Sequence, residues 1–407
     1  MIAVEDALDI VLSQTRALPS EDVALADALG RVLAEDVTSD LDLPPFDRAM
    51  MDGYALRSQD ASAPATLEVI GRLAAGQVFD KPVGRQQAVR IMTGAPLPQG
   101  ADAVQQVEKT RKLDDGARVA ILEEVVPGQN IAPRASEVRL GQTVRTRGET
   151  IDPAAIAVLA SFGRDKVAVG RRPTVSVLVT GDELVGVEET PSGGQIRNSN
   201  GPALLAQAQW AGAQTTSLGV APDQADLIAD ALKPGFRSDV LVVSGGVSAG
   251  DFDLVKGVLG RFDVDVLFTQ VAIKPGAPLV FGRRGETLVF GLPGNPVSAQ
   301  VTFDVFVRAA LLRLQGARVV DRPRVTVTLL EPARNKSRRA AYVPARVSLQ
   351  SGRLVASPLR SMGSADVVAH ARANALLILP AERVEAHAGE TALALLLGNF
   401  LERDGVA

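Results

Sequence analysis

Three short stretches of this sequence are suited to holding a phosphate-bearing ligand, and each follows an apolar run that reads as a strand. Thr180-Gly-Asp-Glu-Leu184 follows Thr174–Thr180. Ser244-Gly-Gly-Val-Ser-Ala-Gly250, with Asp251 and Asp253 behind it, follows Asp239–Ser244. Pro293-Gly-Asn-Pro-Val-Ser298 follows Thr287–Phe290 and opens a helix. Gly245, Gly246 and Gly250 let backbone N–H groups approach an anion closely. The turn through Pro293 and Asn295 leads to a helix start whose unpaired N–H groups and positive dipole end favour an anion, and Ser298 adds a hydroxyl. Glu183 and Asp253 are suited to a Mg²⁺ ion that bridges phosphate oxygens. Each stretch also has a plain reading: a Ser-Gly-Gly turn is often only a turn, a lone Glu is usually solvated, and Pro293-Gly294 can be structural. Convergence favours the functional reading, because ligands of open α/β sheets bind beyond the carboxyl ends of the strands.

Other candidates are weaker alone. Lys274 lies between two expected strands, where a lysine is usually a solvated edge charge. Pro275 and Gly276 restrain its backbone, so an aimed cation fits as well. A cation about 4 Å from an anion gains roughly 4 kcal/mol at an effective dielectric near 20, which matters for a small oxyanion with no carbon to bury. Asp52, before Gly53, suits an Asx turn, and Thr93 suits a turn cap or a ligand contact. His370 and His387, the two histidines, read as packing or surface residues.

The elements that would position these groups follow from periodicity. Residues 4–16 carry Val4, Leu8, Val11 and Leu12 on one helical face; Asp27–Leu33 reads as a second short helix and Asp152–Phe162 as a third. Residues 46–140 are rich in Pro and Gly with short β-branched runs, a β-rich domain inserted into a split helical domain (1–45 and 141–170). Residues 171–320 alternate strand and helix, with Asn198-Ser199-Asn200 as a helix cap, which predicts a doubly wound parallel α/β sheet. Residues 321–407 return to strands, with a hairpin turning at Gln350-Ser-Gly352, and read as a small β-barrel.

Composition bounds the rest. The chain has 407 residues, no cysteine and a net charge of −4. Thiolate chemistry is excluded, a histidine-rich zinc site is too, and the acidic balance argues against a general nucleic-acid binder. No run reaches the roughly 18 apolar residues of a membrane span and the N-terminus lacks signal-peptide character, so a cytoplasmic protein without membrane partners is expected.

Taken together, Pro45-Phe46-Asp47, Met51-Asp-Gly-Tyr-Ala55, Ile91-Met-Thr-Gly-Ala-Pro96, Thr180-Gly-Asp-Glu-Leu184, Gly194-Gln-Ile196 with Asn198-Ser-Asn200, Ser244-Gly-Gly-Val-Ser248, Lys274-Pro-Gly276 and Pro293-Gly-Asn-Pro-Val-Ser-Ala299 occur in one order. In that order the chain resembles the molybdopterin molybdenumtransferases: bacterial MoeA proteins and the C-terminal domains of gephyrin and its plant counterparts. The resemblance implies four domains and an elongated homodimer. Its cleft would lie between the third and fourth domains of one subunit and the second domain of the partner. It implies adenylylated molybdopterin and molybdate as substrates, Mg²⁺ as cofactor, and the molybdenum cofactor and AMP as products. A molybdopterin adenylyltransferase and molybdoenzyme maturation factors would be its protein partners. Carried over, Asp52 and Thr93 would reach the cleft from the partner subunit, and Glu183 and Asp253 would serve the metal–phosphate site. Ser244, Gly245 and Gly246 would line the pterin-nucleotide pocket, with Pro275, Pro293 and Asn295 in the adjoining turns. Lys274, Ser298, Arg339 (or Arg338) and Ser364 would surround molybdate. The chain departs from the family pattern at Arg48–Met51, at Arg134-Ala-Ser-Glu-Val138, at Ala277, where a second lysine is usual, and at Arg338-Arg-Ala-Ala-Tyr342. Competing readings are a molybdopterin adenylyltransferase or nucleotide pyrophosphatase on the same α/β fold, and a non-catalytic cofactor carrier or scaffold.

Overall fold

The computed structural model describes residues 1–246 and 252–398, with the backbone alone at 252–254. The chain forms two compact units. The first is made of residues 1–35, 147–152 and 166–407, the second of 36–146 and 153–165.

The first unit holds a six-stranded sheet: β1 (Thr174–Thr180), β2 (Gln214–Ala221), β3 (Val240–Ser244), β4 (Asp265–Gln270), β5 (Pro278–Arg284) and β6 (Thr287–Leu292), in the order β2-β1-β3-β6-β5-β4. The first four in that order are parallel. The parallel sheet expected from the sequence is corrected at one strand: β5 pairs antiparallel with both β6 and β4. The reason is local. Gly285 adopts φ 58° in a two-residue turn between β5 and β6, so the chain reverses directly instead of crossing over through a helix. Helices α1 (Asn200–Trp210), α2 (Ala225–Leu232) and α3 (Phe252–Gly260) follow β1, β2 and β3. After β6 comes a continuous helical rod: α4 (Pro296–Thr302), a π-helical turn (Phe303–Val307) and α5 (Arg308–Leu314). Both sheet faces are covered, so β3 and β6 are buried along their length. Phe281 and Phe290 pack as tilted rings 4.9 Å apart, with Phe303 and Phe306 in the same cluster. Burying one such side chain contributes about 1.5–3 kcal/mol.

The helix expected over Asp27–Leu33 is corrected. One 3₁₀ turn covers Leu25–Asp27, and Gly30 then takes φ 75°, which ends any helix. Val32 and Leu33 bridge to Thr150 and Val169 as extended chain.

Residues 324–396 close into a barrel of five strands. Arg324–Leu329 lies between Arg353–Pro358 and Thr391–Leu396, and Ala340–Gln350 pairs with both Arg353–Pro358 and Ala375–Leu379. Closure leaves no free edge. The barrel is fastened to the α/β region by a buried ion pair. Arg322 donates from Nε (2.9 Å) and Nη2 (2.6 Å) to Asp304 Oδ1 in the π-helical turn, and from Nη1 (3.0 Å) to the Leu397 carbonyl. Its guanidinium sits 4.9 Å from the centre of the Trp210 ring.

The second unit is built on a six-stranded sheet in the order Ala103–Gln106, Gly53–Leu56, Gln87–Ile91, Ala65–Leu73, Arg118–Ile121, Thr110–Leu113, with helix Pro153–Ser161. Tyr54, Leu56, Leu67 and Ile121 fill its core. Among the described residues no helix is long and apolar enough to cross a membrane.

Candidate active site

The carboxyl ends of β1, β3 and β6 open onto one cleft of about 1030 Å³, closed on its other side by the barrel residues Arg334, Arg339 and Tyr342 and by the segment Ser361–Ser364. Glycine makes this convergence possible. Gly245 sits at φ 102°, and a Cβ there would lie 2.3 Å from the Thr180 carbonyl oxygen. Only glycine lets the turn after β3 lie directly on the end of β1. Ser244 is fully buried, and its Oγ donates to the Pro293 carbonyl (3.1 Å), which ties this turn to the Pro293–Ser298 loop.

The cations come from separate elements. Ile273 and Lys274 form a short strand pairing in parallel with Ala340 and Ala341, so the barrel sheet fixes the lysine's register. Gly276 then turns at φ 109°, where a Cβ would strike Thr302 Cγ2 at 2.4 Å. The loop is therefore seated against α4, and Lys274 is left exposed at the cleft. Arg339 follows a loop pinned by the buried Asn335, whose Nδ2 donates to the carbonyls of Arg339 (2.9 Å) and Pro380 (3.1 Å). Arg339 lines the cleft; Arg338 does not, and it is exposed. Arg334 also lines it, with its Nε on Glu385 at 2.9 Å. Tyr342 contributes to the cleft wall, and burial pushes its hydroxyl up to about 12.

Two carboxylates, Glu183 and Asp223, open to the same cleft, and Asp182 accepts the Asp223 backbone N–H (3.1 Å). Among the described residues no group of three acidic or histidine side chains is placed to hold a metal alone. Two hard oxygen donors suit Mg²⁺, which completes its shell with water and substrate phosphate. Gly250 and Asp251 lie outside the described residues. Asp253 lies within α3, and its side chain is outside them too.

Of the residues singled out in the sequence, Glu183, Ser244, Gly245, Gly246, Lys274, Pro275, Pro293, Asn295, Ser298, Arg339 and Ser364 line this one cleft. One expectation needs adjusting. The Val297 N–H at the start of α4 is already donated to the Ser364 carbonyl (2.9 Å), so that helix end has one donor fewer for an anion. Asp52 and Thr93 belong to the second unit. There the Thr93 N–H (2.8 Å) and Oγ1 (2.7 Å) both donate to Asp52 Oδ1, and these bonds hold its carboxyl below the usual aspartate range. Sequence reasoning gave no site role to Asp223 or Arg334, and read the buried Asn200 as part of a helix cap and a family motif, without a site role of its own. Asp223 carried a signal, since it follows the strand Thr215–Val220 as the other cleft loops follow theirs.

Comparisons with known proteins agree on the whole chain. A family model described as the MoeA N-terminal region (domain I and II) matches residues 2–163, one for a probable molybdopterin binding domain matches 176–313, and one for the MoeA C-terminal region (domain IV) matches 326–397. The chain is 36% identical over 409 residues to the molybdopterin molybdenumtransferase of Bacillus subtilis, covering 97% of this chain and 94% of that protein. It is 35% identical over 396 residues to the protein of that name from Staphylococcus aureus, covering 96% and 94%. A crystal structure of the molybdopterin biosynthesis MoeA protein from Pyrococcus horikoshii OT3 superimposes with a TM-score of 0.83 at 29% identity, covering 97% of this chain and 100% of that one.

Proposed function

We propose, because this chain belongs to the molybdopterin molybdenumtransferase family, that its cleft inserts molybdenum from molybdate into adenylylated molybdopterin and releases AMP. The observation that carries the reading is the meeting of three turn-forming loops with Lys274 and Arg339 at the mouth of one cleft. A tetrahedral dianion has no apolar surface, so cations and donors must hold it. Lys274, Ser298, Arg339 and Ser364 supply them. The Gly246 N–H is the donor this turn would offer to the phosphate end of the pterin nucleotide, since the Gly245 N–H is already donated to the Leu292 carbonyl (3.3 Å).

Glu183 and Asp253, with Asp223 on the same cleft as Glu183, would hold Mg²⁺, which when bound neutralises phosphate charge. The protein's contribution is position and charge: it keeps an oxyanion beside the dithiolene and offers donors to the phosphoanhydride that is cleaved. We further assign Asp52 and Thr93 to the cleft of a second copy in a homodimer. Phe46, Met50 and Met51, all exposed around Asp52, support that contact.

The test is direct. Purified protein with adenylylated molybdopterin, molybdate and Mg²⁺ should release AMP and yield cofactor that reconstitutes a molybdoenzyme. Folded protein that releases no AMP under these conditions overturns the proposal. ATP consumption without molybdate would point instead to an adenylyltransferase.

A further inference from the structure

Asn200 joins two ligand loops that the chain brings together from distant positions. In the triplet Asn198-Ser-Asn200, capping falls to Asn198, whose Oδ1 accepts the Gly201 N–H (2.9 Å). Asn200 is thereby free to be the first residue of α1, where it is 7% exposed. Its Nδ2 donates to Ser244 Oγ (2.9 Å) and to the Gly294 carbonyl (2.8 Å). The two loops also touch, since a Cβ on Gly294 would lie 3.5 Å from Gly245 Cα. A carbonyl can only accept, so the contact with Gly294 fixes which way the amide points. Oδ1 is left buried with no partner. An unsatisfied buried acceptor carries a desolvation penalty that an apolar residue of the same size would avoid. The two donated bonds must therefore matter beyond filling space.

We propose that Asn200 is a positioning residue for the reaction. Its amide sets the spacing between the Ser244–Gly246 turn and the Pro293–Ser298 loop, and so the distance between the phosphate held by the first and the oxyanion held by the second. The assignment of those ligands rests on the function proposed above. Such a residue matters when both ligands are present, because neither loop is itself altered.

The test uses the full-length protein with Asn200→Leu, which removes both donors at similar volume, and Asn200→Asp, which keeps the shape but cannot donate to Gly294. Calorimetry would give the affinity for molybdate alone, for AMP alone, and for AMP at saturating molybdate; turnover would be read as AMP release. In both variants each single-ligand affinity should stay within about 3-fold of wild type. The mutual effect of AMP and molybdate should vanish and kcat should fall about 10²-fold, the scale of a 1 Å misplacement of reacting groups. A drop in melting temperature with kcat and ligand coupling unchanged would mean a purely structural role and overturn the proposal. So would a wild type in which AMP and molybdate bind independently. If Asn200→Leu does not fold, Asn200→Asp decides. If wild-type protein releases no AMP, the functional reading fails, and the two-ligand binding measurement still judges Asn200 by itself.

Discussion

Replacing Arg322 by Met would strand a carboxylate inside the protein. Arg322 and Asp304 have side chains only 9% and 7% exposed. Without the arginine, Asp304 keeps one neutral partner, Gln207 Nε2 at 3.2 Å. Breaking a buried pair from one side costs about 3–5 kcal/mol. The lower end applies here, because Arg308 is close enough to compensate. Its pKa is lowered to about 10, first by burial and then by repulsion from Arg322, a repulsion the substitution removes. Asp304→Leu should cost a similar about 3 kcal/mol, since Arg322 would keep only the Leu397 carbonyl and the face of Trp210. The double variant replaces the pair with apolar groups and should return to within about 1 kcal/mol of wild type. Trp210 is the single tryptophan of the chain and stacks on this arginine. Its fluorescence during guanidinium unfolding therefore reports the region directly, provided the slopes of the transitions match. A double variant as unstable as the two single losses added together would refute the idea that Arg322 and Asp304 act as a unit.

Three further outcomes are expected. Lys274→Met should raise the molybdate KM about 10-fold at low salt. A contact with one charge of the dianion near 4 Å is worth between about 1 and 4 kcal/mol, and the lysine is exposed. The effect should shrink near 0.5 M salt, and insensitivity to salt would argue against a charge contact. Thr93→Val removes one of two bonds that lower the Asp52 pKa, so carboxyl NMR should show it moving up toward its ordinary 3.8. By the sign of that shift, the stabilisation from these bonds is present above the unfolded value and lost as pH falls through the lower folded value; an unmoved titration would show the hydroxyl bond to be unimportant. Finally, at molybdate well below the wild-type KM and at low salt, mixing the impaired Asp52→Asn and Lys274→Met proteins under subunit exchange should raise activity above that of either alone, because mixed dimers regain one intact site. No recovery despite exchange would place Asp52 and Lys274 in the cleft of the same copy.

Much of the fold was legible because its central strands are apolar runs that end in glycine turns. Thr174–Thr180 and the Asp239–Ser244 run announce burial on both faces, and Gly352 announces the barrel hairpin. Strand direction was not legible at Pro278–Arg284, since an apolar run looks the same whichever way it pairs. The loops at the carboxyl ends point to the cleft by their residue types alone, and Asp223 stands in an equivalent place without a glycine to draw notice. Asn200, Asn335 and the Ser364 carbonyl were out of reach for a different reason. Their partners lie tens of residues away, at Gly294, Pro380 and Val297, and no local pattern encodes such a pairing.

The interleaving of the two compact units has a consequence during synthesis. Strand Ser20–Ala24 pairs with Lys166–Gly170, about 140 residues later. A ribosome adding roughly 5–20 residues per second leaves the first strand without its neighbour for roughly 7–30 s. Over that interval residues 36–146 emerge in full and can collapse around their own sheet. The waiting segment is Ser-Glu-Asp-Val-Ala, with two adjacent carboxylates. Charge of that kind discourages a bare backbone edge from joining a neighbouring nascent chain.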